Sequence, residues 1–488
     1  MERMPSPAAQ GDRSSFARLV AWLANPRSQR LLLAAVLVAA GLLAAYHAFT
    51  STIWYDEVIT LLTLAGHPRP DWNSGVDPFL GYASWPQILS DLYHYDVHPP
   101  IYFFTVEAWR YLAGQSLASV RLFSCCCMLG STWLVFRIAS LWSLRFPALA
   151  AFLFAFSQSS VFYAHNSRAY AMAECLMLLT IYLGERGSRW TAVSAAIAVG
   201  THYFTALAVG PLVLWYCVKN GRTNRGWSIA TGLIFFALAL TLLPLAIVHF
   251  TARPAQYSVL VSLPSEIAAV TRGLAVSEFP KSRFMILRML DAFVVMIYLA
   301  LGLFRSIRKG QPAAVAFLAF VFGMFVLEHL AHKSVAQMPV AYYFGLCAPF
   351  AILLMTIGAE AIPRMTMILT ASAAVTVATM SLSDDPQGSV RPLVKAIRAD
   401  CQNCMIVAGA GEGRGVPGSV VYEAKGLPVY VLADTASETL ILDAAKQHSR
   451  VYFFLSGESK TAALEQNLIH QLRLQATNES NLYVSPPR

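Results

Sequence analysis

The chain has 488 residues, 56% of them apolar and 13% charged, with a mean hydropathy of +0.52. Soluble domains carry about 25% charged residues, so a string of soluble domains is excluded and a polytopic membrane protein is expected. The formal net charge of +9 does not point to nucleic acid, because the Lys and Arg residues fall in short loops between apolar runs.

Residues 1–30 are expected to form a cytoplasmic tail. The first apolar run, LLLAAVLVAAGLLAAY, follows Arg27 and Arg30. A polar stretch of about 30 residues is long for a signal-peptide n-region, and no small-x-small site closes the run. It is expected to be an uncleaved membrane helix over 31–50, with the N-terminus inside. A spanning helix needs about 20 apolar residues. Further spans are expected near 119–138, 146–164, 169–184, 190–203, 204–218, 227–248, 286–304, 311–329, 340–358 and 365–381, about eleven in all. With this threading every cytoplasmic loop is basic: Arg137 and Arg145, then Arg186 and Arg189, then Lys219, Arg222 and Arg225, then Arg305, Arg308 and Lys309, then Arg364. The segment HPPIYFFTVEAWRYLAG contains Glu107 and Arg110. Counting it as a span would put the basic loops outside, so it is expected to be a juxtamembrane helix. The first external loop then covers about 51–118, and the membrane domain 31–382.

From about Ser383 the composition changes. NCMIVAGA, GSVVYEA, LPVYVLA and RVYFFLS have the pattern of short strands bounded by turn residues, with helices expected near 390–400, 436–448 and 459–473. A small external α/β domain over 383–488 is expected. GAGEGRG lacks the ordered strand–GxGxxG–helix context and is treated as a loop. Six cysteines lie in apolar runs, where they act as small hydrophobes. Cys401 and Cys404, in CQNC, are expected to form a local disulfide or to remain thiols.

Ionisable residues gather on the external side. The first loop holds Asp56, Glu57, Asp71, Asp77, Asp91, His94, Asp96 and His98; the second reads YAHNSRAYAMAE, with His165, Arg168, Tyr170 and Glu174; the third carries His202. Later loops add Arg253, Arg272, Lys281 and Arg283, then Glu328, His329, His332 and Lys333. Charged groups at a membrane edge are costly to desolvate and face a cavity or a partner. An acid such as Asp56 can take a proton from a hydroxyl, while Arg and Lys can hold a phosphate. A lipid-phosphate-linked sugar needs both functions at the membrane surface. Plainer roles remain open for each residue. Asp56 can solvate a helix end, Glu57 can hold a loop, and His98 can cap the helix that starts at Pro-Pro. Arg121 can snorkel, Arg168 can pair with Glu174, and His202 can be a satisfied polar contact. His329 and His332 have metal-ligand spacing, but Glu328 is the one nearby carboxylate.

YDEVITL after the first span resembles the Asp-Glu signature of the GT-C superfamily of membrane glycosyltransferases. DVHPPIYFFTVEAWRYLAGQSLASVRLFS resembles the segment that follows it in the protein O-mannosyltransferase-like branch, and FYAHNSRAYAMAECLMLLTIYL resembles the second-loop Arg-x-Tyr pattern of bacterial members. Within the superfamily the chain resembles lipopolysaccharide galacturonosyltransferases and, more distantly, lipid A aminoarabinose transferases. The resemblance covers roughly 30–380. It implies an all-α GT-C membrane domain and inverting transfer from a polyprenyl-phosphate sugar to a glycan, lipid or protein acceptor, on the periplasmic side of a bacterial inner membrane. It implies Asp56 as the base, with Glu57 beside it in the catalytic set. Asp96, His98, Arg121, His165, Arg168, Tyr170 and His202 would shape the site or contact the phosphate. Where related chains carry Arg-Tyr before the tenth span, this one has PVAYYFGL, with Ala341 at the Arg position; Lys281 or Lys333 would then take the phosphate role. No cofactor is firmly implied, and a divalent cation is left open. Rival readings are a transporter or flippase of an anionic lipid-linked sugar, and a surface polysaccharide polymerase or ligase.

Overall fold

The computed structural model describes residues 18, 21–251, 285–330, 345–360, 390–401, 403–410, 415–455, 461–477 and 482–486. Helix α1 (Pro26–Thr50) starts where Asn25 accepts the Arg27 N–H at 2.9 Å, with proline in the first turn, a favourable N-terminal arrangement. Three short helices follow in the first loop: α2 (Tyr55–Ala65), α3 (Trp85–Tyr95) and α4 (Ile101–Ala113). Helix α5 (Leu117–Leu141) is capped by Ser116, which accepts from Ser119 N–H at 3.1 Å. Among the described residues, α1 and α5 are the helices long and apolar enough to cross a membrane.

The expected span over 146–164 is broken. It consists of α6 (Pro147–Ala155) and α7 (Gln158–Ala164), bent by 61°. Ser157 causes the break by capping α7, its hydroxyl accepting from Ser160 N–H at 3.3 Å. The bundle continues through α8 (Tyr170–Glu185), α9 (Trp190–Thr201), α10 (Ala206–Gly221), α11 (Arg225–Leu240) and α12 (Leu243–Thr251). Between α9 and α10 the chain becomes extended at His202. Helices α11 and α12 meet at 45° and form a second broken pair. Then come α13 (Met285–Arg308), α14 (Pro312–Leu330) and α15 (Ala348–Ala359). The expected span over 365–381 lies outside the described residues. One apolar core joins α5, α8, α10, α13, α14 and α15.

Helix α4 has 13 residues, about 20 Å at 1.5 Å per residue, which is too short to cross a core of about 30 Å. Its charges are buried in protein. Arg110 pairs with Glu107 at 2.6 Å and donates to the carbonyls of Leu64 and Gly81. Gly81 has φ +132°, and a Cβ there would lie 2.7 Å from the Ala65 carbonyl oxygen. Helices α2, α3 and α4 share a separate core built on Val58, Leu61, Ile88, Leu92, Phe103 and Val106.

The C-terminal segment is layered. Helix α16 (Val390–Asp400) leads to β1 (Cys404–Gly409), α17 (Gly415–Glu423), β2 (Val429–Leu432), α18 (Thr435–Ala445), β3 (Arg450–Phe454), α19 (Ala462–Leu472), β4 (Gln475–Ala476) and β5 (Leu482–Val484). The strand order is β2-β1-β3-β5-β4, with β1 parallel to both neighbours and β5 antiparallel to β3 and β4. Side chains alternate between faces, as a strand requires. Ile406, Ala408, Tyr452 and Phe454 meet α16 and α17, whereas Met405, Val407, Val451 and Phe453 meet α18 and α19. Strand β1 is buried on both faces, hence its unbroken apolar sequence. GSVVYEA, expected as a strand, lies in α17 and its end. Its Val420 and Ala424 pack on the sheet, and burial of that face overrides the local β propensity. Cys401 and Cys404 are disulfide-paired.

This layered segment is seated on the first loop. Helix α17 crosses α2 where Gly418 faces Val58, and a Cβ on Gly418 would lie 2.3 Å from Val58 Cγ1. Val421 and Tyr422 join the core of α2 to α4. The Asn73 side chain accepts from Val431 N–H at 2.9 Å and donates to Val431 O at 3.0 Å, covering the edge of β2.

Candidate active site

The site forms where α1 ends and α2 begins. Residues 51–54 turn the chain, and Asp56 and Glu57 occupy the first turn of α2, where a helix N-terminus favours negative charge. Their fates diverge. Glu57 is 1% exposed, whereas the Asp56 side chain is 24% exposed. Glu57 accepts five hydrogen bonds: from Arg121 Nε at 2.8 Å and Nη2 at 2.6 Å, from Trp54 N–H at 2.9 Å, and from Ser167 N–H at 2.8 Å and Oγ at 3.0 Å. A carboxylate offers about four lone-pair sites, so Glu57 is saturated. Burial pushes its pKa up, but Arg121 and the other donors outweigh burial and hold it below the usual carboxylate value.

Arg121 is engaged all round. Besides Glu57 it donates to the carbonyls of Ala48 at 3.3 Å, Ser51 at 2.8 Å and Thr52 at 2.6 Å. Ala48 O is one of the carbonyls that α1 leaves open at its C-terminus, and Ser51 and Thr52 belong to the turn that follows. The pair therefore ties α1, α2, α5 and the 165–169 turn into one knot.

Asp56 faces a second cluster. Its Oδ2 lies 3.8 Å from Arg168 Nε. Arg168 Nη1 donates to Asp56 O at 3.3 Å and to Thr60 Oγ1 at 3.2 Å, and Nη2 lies 2.8 Å from His98 Nε2. His98 Nδ1 is 2.6 Å from Asp96 Oδ1. With Nδ1–H donating to Asp96, Nε2 is left to accept from Arg168. Burial raises the Asp96 pKa, but His98 and Arg168 pull it well below the carboxylate range. His202 stands behind, its ring centroid 6.0 Å from that of His98 and 5.5 Å from that of Tyr170. Tyr170 stacks on Tyr163 at 4.8 Å.

Asp56, Asp96, His98, Arg168, Tyr170 and His202, which the sequence spreads over three loops, thus come together. Arg168 turns to Asp56, Thr60 and His98 and makes no ion pair with Glu174. His165 does not join them. Its Nδ1 contacts Val161 O at 2.7 Å, its ring lies 5.0 Å from that of His47, and burial with Arg121 nearby lowers its pKa to about 4. His165 lies apart from the Asp56 cluster, at the end of α7 with its ring turned toward α1. Lys281 and Lys333 lie outside the described residues. Thr60 and Ser167 are partners that sequence reasoning missed. Thr60 sits one turn beyond Asp56 on α2, and Ser167 directly precedes Arg168, so both were findable by helical spacing and adjacency. Among the described residues, no group of three or more His, Cys, Asp or Glu side chains converges as a metal-ligand set.

No family model matches the chain, and no curated protein matches its sequence. Solved structures match its fold. ArnT from Cupriavidus metallidurans in the apo state aligns with a TM-score of 0.52 at 12% identity, covering 93% of this chain and 99% of that one. The same protein bound to undecaprenyl phosphate aligns at 0.51 and 12%, with the same coverage. Archaeoglobus fulgidus oligosaccharyltransferase, tethered with an acceptor peptide containing the NVT sequon, aligns at 0.42 and 10%, covering 86% of this chain and 68% of that one. The fold of this chain is that of ArnT, shared along nearly the whole length of both chains.

Proposed function

We propose that this protein is an integral membrane glycosyltransferase that moves a sugar from a polyprenyl-phosphate donor to a hydroxyl acceptor outside the cytoplasm. The observation that carries this reading is the contrast within the first turn of α2. Glu57 is saturated, while Asp56 keeps an open carboxylate beside a braced arginine. The GT-C fold and the undecaprenyl phosphate bound by ArnT support a lipid-phosphate donor. The Cys401–Cys404 disulfide supports an oxidising, non-cytoplasmic location for the C-terminal segment.

In this reaction Asp56 takes the proton of the acceptor hydroxyl, and the hydroxyl oxygen bonds to the anomeric carbon from the face opposite the phosphate. The bond from that carbon to the phosphate oxygen breaks, which inverts the centre. Arg168 offsets the charge that grows on the departing polyprenyl phosphate. His98 and Asp96 hold Arg168 in place, and Glu57 with Arg121 positions the turn that carries Asp56. The base sits at the end of the first span because the donor's phosphate lies at headgroup level while its prenyl tail stays in lipid.

Transfer of labelled sugar in membranes tests the assignment, with extracted polyprenyl-phosphate sugars as donors. Asp56→Asn keeps the shape and removes the proton acceptor, so transfer should fall by about 10²- to 10⁴-fold at equal expression and unchanged donor binding. Undiminished transfer would remove Asp56 as the base.

A further inference from the structure

The 51–54 turn is held from two sides. From the bundle, Arg121 grips Ala48 O, Ser51 O and Thr52 O, and Glu57 takes Trp54 N–H. From the C-terminal segment comes a second Arg–Glu pair. Arg391 of α16 donates to Thr50 O, and Glu423 at the end of α17 accepts from Ile53 N–H at 3.0 Å. Arg391 and Glu423 meet as a fork, Nε to Oε2 at 2.8 Å and Nη2 to Oε1 at 2.9 Å. Such bidentate pairs are directional as well as strong. We propose that the Arg391–Glu423 pair makes the C-terminal α/β segment a positioning element for Asp56. It holds the turn from which α2 springs, and α2 presents the carboxylate to Arg168.

The proposal rests on the reading of Asp56 as base. Its physical basis is lever length. Asp56 lies three residues after Ile53, so a shift of the turn is passed directly to the reacting group, and a misplacement of about 1 Å can cost about 10²-fold in rate. Gly418 keeps α17 close enough for Glu423 to reach the turn, since any larger residue would meet Val58.

The full-length protein in detergent tests this with two readouts. Peptide-resolved amide exchange over 51–58 should be at least about fivefold faster in Glu423→Ala than in wild type, with 190–201 unchanged. In the transfer assay Glu423→Ala should lose about tenfold in kcat while the donor KM stays within about twofold. Glu423→Gln, whose amide oxygen still accepts from Ile53, should fall between the two. Lys446→Ala, which removes the exposed Asp443–Lys446 pair in the same segment, should retain wild-type kcat. Unchanged exchange in Glu423→Ala would overturn the clamp, and faster exchange with unchanged kcat would overturn its positioning role. Inactive wild-type protein would instead sink the glycosyltransferase reading, while the exchange result would still decide whether the clamp exists. If Glu423→Ala does not fold, exchange and kcat of Glu423→Gln decide in the same way.

Discussion

Asp56 and Glu57 are neighbours with the same functional group, yet their surroundings differ completely. Glu57 has spent its acceptor capacity on Arg121, Ser167 and the backbone, and Asp56 has not. Adjacent helical residues point about 100° apart, so one side chain turns into the knot and the other toward Arg168. The buried carboxylates also set the response to acid. Glu57 and Asp96 have pKa values depressed in the folded state. A depressed carboxyl contributes stability that is present above its unfolded pKa, about 3.9 for Asp and 4.3 for Glu. That stability is lost as pH falls toward the folded value. Thermal midpoints should therefore decline as pH falls below about 6.5, because His165 stays neutral in the fold and is protonated in the unfolded chain, and fall more steeply below about pH 4 as the carboxylates protonate. Asp96→Asn should flatten that fall, and an unaltered acid limb would refute the linkage for Asp96.

At the scale of elements, the contact between α17 and α2 carries the seating of the C-terminal segment. Gly418 has no room for a methyl group: Val58 Cγ1 would be 2.3 Å away and the Trp72 ring 3.1 Å away. Gly418→Ala should destabilise the protein by about 1–3 kcal/mol through overpacking. Adding Val58→Ala should recover part of the loss, which thermal unfolding in detergent would measure. A Gly418→Ala protein as stable as wild type would mean that the two helices separate freely. Helix α17 also shows where local patterning misleads. GSVVYEA has β-branched residues and strand-like length, but Val420 and Ala424 face the sheet at helical spacing while Val421 faces the first loop. The expected span over 146–164 is interrupted by the polar run SQSS at 157–160, and the bend falls there, where Ser157 caps α7.

For the whole molecule, the testable quantity is sidedness. Cys401 and Cys404 are paired in the layered segment, and the other cysteines lie in bundle helices or beside them. If the segment is external, a membrane-impermeant maleimide should label Cys401 and Cys404 in intact spheroplasts after mild reduction. A Cys401→Ser, Cys404→Ser double variant should lose that signal. Labelling that requires lysis would place the segment, and with it the first loop on which it is seated, on the cytoplasmic side.

Composition and hydropathy alone determined that this is a membrane protein with an acidic pair at the end of its first span. Those properties are local, because a run of about 20 apolar residues has few alternatives to a bilayer. The motif order likewise pointed to the fold shared with ArnT, and β1, β2 and β3 were readable because each is a short apolar run between turns. Which acid stays open was not legible, since Arg121 and Ser167 lie 64 and 110 residues from Glu57. The same holds for the bracing of Arg168 by His98, 70 residues away, and for the Glu423 contact to Ile53 across 370 residues. Hydrogen bonds form between groups that meet in space, so only the tertiary structure decided which of the two carboxylates was saturated and which kept an exposed edge.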